Sequence, residues 1–239
     1  SGSGFVADGR YVMPLSSAEV VEIDLADGQI VGRTASRNGQ VLGNLICHRG
    51  SVLSQNGRFL ECFDQRDVLR AQAERDLANN PHDVIALRTL GEIMFHAGRL
   101  SDAIVMLEQA YGHAPDDYRT RDVLAECLIT ALDEDFVAYR QKLELLRQLE
   151  DSAPKRQIAL RRIEAEGFAA AGSPEAASDA CLAVYRLASD ASAMIEMGDG
   201  REASASRWVS AQLDAILDDC NPDQRSRILD RIAQLRPQA

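Results

Sequence analysis

The sequence predicts a mainly α protein, an α-α superhelix of stacked helical hairpins with a small antiparallel β segment at the N-terminus. Three observations carry that reading. Between Arg10 and Asp64, short runs rich in β-branched and aromatic residues are separated at close intervals by Gly, Asn, Asp and Ser. From Arg66 onward the apolar period becomes that of a helix. The helical stretches run roughly 12 to 19 residues with short connections, a length and spacing that give antiparallel hairpins packed in series. Residues 1–64 and 65–239 are therefore expected to form two domains.

The strands are expected at YVMPL (11–15), EVVEIDL (19–25), QIVGRT (29–34), GNLICH (43–48), SVLSQ (51–55) and RFLECFD (58–64). Asp27-Gly28, Arg49-Gly50 and Asn56-Gly57 stand where hairpin tips need left-handed backbone. Six such strands make one and a half to two four-stranded sheets. A sheet cut at that size leaves edges unpaired, so it is expected either to pack on the first helices or to pair with a second copy, a route to a homo-oligomer.

The helices are expected at 66–79, 83–97, 100–113, 118–132, 135–151, 155–171, 174–189, 201–219 and 222–236. The first stops at Asn79-Asn80-Pro81, and the next two turn at Ala97-Gly98 and close before Pro115. Ser173-Pro174-Glu175 offers a hydroxyl cap, a first-turn proline and an acid at the dipole. Asn221-Pro222-Asp223-Gln224 repeats the scheme, with Gln224 placed to reach back to the cap. Val209, Leu213, Ile216, Leu217 and Cys220 form one apolar stripe.

The net charge of −11 resides almost wholly in the helical part. An acidic body repels phosphate backbones and anionic lipid, so nucleic acid is not an expected partner. No apolar run reaches the ~20 residues of a membrane span, and membrane association is expected only through a longer protein. The opening Ser-Gly-Ser-Gly reads as a linker and the chain as an excised piece of a larger bacterial protein, for which an exported, periplasmic location is favoured over a cytoplasmic one.

No catalytic, cofactor-binding or metal-binding constellation emerges. His48, His82, His96 and His113 lack metal spacing. The five cysteines are odd in number, with no Cys-x-x-Cys pair; isolated thiols are expected, Cys47–Cys62 being the pairing the β segment offers. Cys47 and His48, adjacent in a strand, point to opposite faces. Asp133-Glu134-Asp135 reads as a solvated turn, and Gly198-Asp199-Gly200 lacks the Lys and preceding strand of a phosphate loop. Trp208 is expected to pack between the last two hairpins.

The hairpin at 84–115 resembles a tetratricopeptide repeat. Leu87, Leu90, Gly91 and Met94 fall at its first-helix positions, Ala103, Leu107 and Ala110 at its second, and Pro115 closes the unit. One repeat further, Leu124, Ala125 and Leu128 match again. The β segment resembles the repeat of quinoprotein-type propellers through Asp24 and Gly28 in EIDLADGQIVG, with Gly32 at the position of its tryptophan. The first resemblance implies a groove for an extended peptide or helix, lined by Arg88, Glu92, Phe95, His96, Asp122, Glu126 and Ile129. Its two glutamates favour a basic or neutral segment. A non-enzymatic protein–protein interaction scaffold follows. The alternatives are a membrane-coat-like assembly protein and the accessory arm of a quinone-dependent dehydrogenase; no cofactor is expected in this chain.

Overall fold

The computed structural model describes residues 2–36, 39–48, 51–149, 154–188, 193–197 and 201–234. The Arg49-Gly50 turn and Gly198-Asp199-Gly200 lie outside them. Two compact units are present, Ser1–Ile93 and Met94–Ala239. The chain is mainly helical, with small antiparallel sheets concentrated at its N-terminus.

The first unit holds two sheets. Strands β1 (Phe5–Ala7), β2 (Arg10–Pro14), β3 (Glu19–Asp24) and β4 (Ile30–Ala35) lie in sequence order in one, and β5 (Asn44–His48), β6 (Ser51–Gln55) and β7 (Leu60–Asp64) in the other. Every pairing is antiparallel. β1 lies directly behind the opening Ser-Gly-Ser-Gly, before the first of the six expected runs. It pairs Ala7 with Arg10 across Asp8-Gly9, whose φ values of 49° and 75° are those a two-residue hairpin turn needs. The first strands of the two sheets lie side by side, and the Leu45 N–H donates to the Ser3 carbonyl at 2.8 Å.

The Asp24–Gln29 turn is built by its side chains. Asp24 accepts the Ala26 N–H at 2.7 Å, Asp27 accepts the Gln29 N–H at 2.9 Å, and Gly28 sits at φ 72°. Asn56-Gly57 departs from expectation, because Gly57 is not in the left-handed region. Asn56 makes the turn instead, its side-chain oxygen accepting the N–H groups of Arg58 and Phe59. Cys47 faces Val52, and Cys62 faces Leu53, the next residue on β6, so the two thiols lie on opposite faces. All five cysteines are free, and Cys62 is exposed. Ile30 and Val31 on β4 and Leu60 on β7 are half or more exposed at the sheet edges. Helix α1 (Arg66–Asn79) and the start of α2 (Val84–His96) complete this unit, with Ala73, Leu77, Ala86 and Leu90 clustered.

In the second unit, helices pack on their near neighbours in sequence. These are α3 (Leu100–His113), α4 (Tyr118–Glu134), α5 (Phe136–Tyr139), α6 (Leu143–Leu149), α7 (Pro154–Ala170), α8 (Pro174–Leu187), α9 (Ala205–Asp218) and α10 (Pro222–Gln234). α3 packs on α4, α4 on α6 and α7, α7 on α8, and α8 on α9 and α10. Ala103, Leu107 and Ala110 are wholly buried, as are Leu124 and Leu128 with Ala125 at 1 %, so the positions read from the hairpin pattern are core positions. One cluster is centred on α3, α4 and α6, and a second on α8, α9 and α10. Trp208 lies in the second with the expected stripe from Val209 to Cys220.

Three expectations fail in this unit. The single helix at 135–151 is broken into α5, a 3-10 turn at Arg140–Lys142 and α6. Asp135 caps the start of α5, its carboxylate accepting the Ala138 N–H at 3.0 Å. Arg201 does not open a helix: Glu202–Ser204 is strand β9, paired with β8 (Met194–Glu196), and the helix begins after it. Finally, Ser173 makes no side-chain cap bond, and the Glu175 carboxylate pairs with Arg227 of α10 at 2.8 Å. The second cap forms as read, with Asn221 and Gln224 exchanging hydrogen bonds at 3.0 and 3.2 Å.

Candidate functional site

Helix α7 carries charge on every side, Arg156, Arg161, Arg162, Glu164 and Glu166 lying within about three turns. A helix packed against α4 on one flank, α8 on another and β8 on a third cannot keep all of these in water. Two of them are buried. Glu164, 3 % exposed, receives Arg147 Nη2 at 2.6 Å and Nε at 3.0 Å on one oxygen, and Arg161 Nη1 at 2.7 Å on the other. Arg162, 5 % exposed, faces the opposite way, donating to Asp133 of α4 at 2.8 Å and to Glu166 at 2.7 Å. Asp133 remains solvent-exposed at the end of α4, as do Glu134 and Asp135, and it is the exposed partner of the buried Arg162 guanidinium.

The Arg162 cluster forms part of the wall of a cavity of about 770 Å³. From α4 come Glu126, Ile129, Thr130, Asp133 and Glu134; α7 adds Ala159, Arg162 and Glu166, and the β8 end adds Glu196 and Met197. Five carboxylates therefore line the space against one guanidinium. Arg162 balances Asp133 and Glu166, leaving Glu126, Glu134 and Glu196 without an ion pair among the described residues. The Arg162 Nε–H is buried with no acceptor among those residues. The Trp208 indole N–H, near enough to Glu166 to favour its ionised form, also lacks an acceptor at hydrogen-bond geometry.

Burial pushes the Glu166 carboxyl above the usual range; Arg162 opposes this and Asp133 adds to it. A carboxyl with a raised folded pKa holds its proton more tightly folded than unfolded. Its contribution to stability is therefore greatest in acid and falls as pH rises from the unfolded value, about 4.3, through the folded one. Glu166→Gln is expected to remove that fall, read as a flatter dependence of the urea midpoint on pH from acid to neutral. An unchanged slope would place the titration elsewhere.

Burial also drives the thiols of Cys127 and Cys181 up to about 12, with the Glu126 and Glu166 charges adding to it respectively. Both stay protonated at neutral pH and neither is a nucleophile. Among the described residues, no three of His, Cys, Asp and Glu cluster so as to hold a metal ion, and no helix is long and apolar enough to cross a membrane.

The residues named from the sequence fall in different settings. Arg88 and Glu92 belong to the first unit and form an i,i+4 pair at 3.7 Å. Phe95 and His96, in the second unit, stack on one another with ring centres 5.5 Å apart. Asp122 is ion-paired with Arg156 of α7. Glu126 is the member of the set that lines the cavity, and Ile129, named beside it, lines it too. Sequence reasoning missed the α7 and β8 side of this site. The all-round charge of α7 was the available signal, since a helix polar on every face inside a stack must pair some of its charges. No protein-family model, curated protein or solved structure matches this chain.

Proposed function

We propose that this chain is a non-enzymatic protein-interaction module, an α-solenoid of tetratricopeptide-like hairpins preceded by partial blades of a quinoprotein-like propeller. The observation that carries it is the cavity between α4, α7 and β8, a concave space on serially packed helices, lined by carboxylates, the Arg162 guanidinium, the Thr130 hydroxyl and apolar side chains. The wholly buried alanines of α3 and α4 support the repeat reading, because small side chains at those positions let adjacent helices approach closely. The neighbouring first strands of the two small sheets support the blade reading, since successive blades meet near the axis of a propeller.

Panning a display library of random peptides against the purified chain tests this. Resynthesised hits that bind at saturable stoichiometry are expected, and failure to enrich any sequence contradicts it. A second reading, a structural assembly protein of the membrane-coat kind, is favoured by the exposed Ile30, Val31 and Leu60 at open sheet edges. It requires concentration-dependent oligomers in sedimentation velocity that Ile30→Lys and Leu60→Lys disperse.

A further inference from the structure

We infer that helix α10 exchanges between copies of this chain, so that the α8 surface it covers is a docking surface for the α10 of a second copy. The cavity plays no part in this. The sequence of α10 contains one dyad twice, Arg227-Ile228 and Arg231-Ile232, four residues apart and so on one face of the helix. α8 answers with acids at the same interval. Arg227 Nη2 donates to Glu175 at 2.8 Å and Arg231 Nη1 donates to Asp179, each across 52 residues of chain. Beside these pairs Ile228 is wholly buried in the α8–α9 cluster, with Ile232 partly buried against it. The surface therefore recognises an amphipathic helix with Arg-Ile on successive turns.

Three features make α10 separable. Ile228 is its single buried residue, and apart from Gln224 and Ile232 all its other residues are exposed. It packs on α8 rather than along α9, the helix that leads into it, so lifting it leaves the packing of α7, α8 and α9 in place. Toward α9, Arg225 Nη1 reaches the Leu217 carbonyl at 3.4 Å, a long and weak bond. Third, the box between Asn221 and Gln224 caps α10 with residues of its own segment, so the cap travels with the helix. A second copy is the occupant because exchange replaces both intrachain dockings by identical interchain ones and closes a twofold pair without any new contact. The tether favours the closed monomer at low concentration, and the exchanged pair gains on it as concentration rises.

The test mixes two whole-chain variants with opposite reversals, Glu175→Arg/Asp179→Arg on α8 and Arg227→Glu/Arg231→Glu on α10. Both also carry Ile30→Lys and Leu60→Lys, which keeps the sheet edges out of the result. Alone, each variant sets like charges together wherever its α10 docks, on itself or on an identical copy, and is expected to sediment as a monomer. In the mixture, exchange matches both sites at once, introduced glutamates on introduced arginines and native arginines on native acids. The equimolar mixture is therefore expected to form a species of twice the monomer mass in sedimentation velocity. A mixture that stays monomeric overturns the inference. An equally abundant dimer in either variant alone also overturns it, since charge then does not direct the docking. Amide hydrogen exchange of the wild-type chain gives a readout that needs no variant to fold: α10 is expected to exchange as a block at least about tenfold faster than α8 and α9. Protection of α10 equal to theirs overturns its detachment.

Discussion

Replacing Arg162 by methionine is expected to lower the unfolding free energy by about 3 kcal/mol. The substitution keeps much of the side-chain volume but leaves Asp133 and Glu166 facing one another beside a buried wall with no counter-charge. Removing one member of a buried pair typically costs about 3–5 kcal/mol. The lower end applies because the two acids retain 25 and 33 % side-chain exposure and water screens part of the repulsion. The triple change Arg162→Met/Asp133→Leu/Glu166→Leu, which removes every charge of the cluster, is expected to recover most of the loss. Glu164→Gln is the control: its partners Arg147 and Arg161 keep 40 and 27 % exposure, so stranding them costs less. Urea denaturation gives all these values, and a loss below about 1 kcal/mol for Arg162→Met would show that the cluster is not a buried ionic unit.

Gly167→Ala is expected to destabilise by about 2–3 kcal/mol, a reversal of the usual gain from glycine to alanine in a helix. Gly167 is buried in α7, and a Cβ there would lie 2.2 Å from the Phe136 ring. That ring cannot swing away freely, because it packs edge-on against Phe168 with centres 5.2 Å apart. Gly112, exposed near the end of α3 with open space around it, is the internal comparison. Gly112→Ala is expected to stabilise by up to about 0.5–1 kcal/mol. Thermal denaturation of the two variants should move in opposite directions; a shift of the same sign in both would mean that α5 does not press on α7 as described.

Much of this fold was legible wherever local chemistry and tertiary packing agree. Asn79-Asn80-Pro81, Gly98, Pro115 and the Asn221–Gln224 box mark ends that local geometry enforces, and the helices between them fall within a few residues of where they were expected. The misses lie where no punctuation exists. Residues 135–149 contain neither proline nor glycine, so nothing in the local sequence announces the 3-10 turn at Arg140–Lys142, beside which the Tyr139 and Ser101 hydroxyls bond at 2.8 Å. β9 reads as the start of a helix until β8 is there to pair with it. β1 was readable, since Asp8-Gly9 is the same signal that located Asp27-Gly28.

The site was half legible. Glu126 was singled out from its place on a helix that resembles that of a repeat, and it does line the cavity. Its counterparts were out of reach, because Arg162 meets Asp133 across 29 residues of chain and Glu196 arrives on a strand that the local pattern does not announce. Burial of the guanidinium is a property of the stack rather than of the sequence around it. What the residues together make is a carboxylate-lined space whose single cation is already committed to two acids.

The most direct measurement of that space as a binding site is a chemical-shift titration of the isotope-labelled chain with a peptide enriched from the random library. Saturable shifts of the amides of Glu126, Thr130, Glu196 and Met197 are the expected result. Shifts confined to other helices, or scattered evenly over the acidic surface, would contradict it.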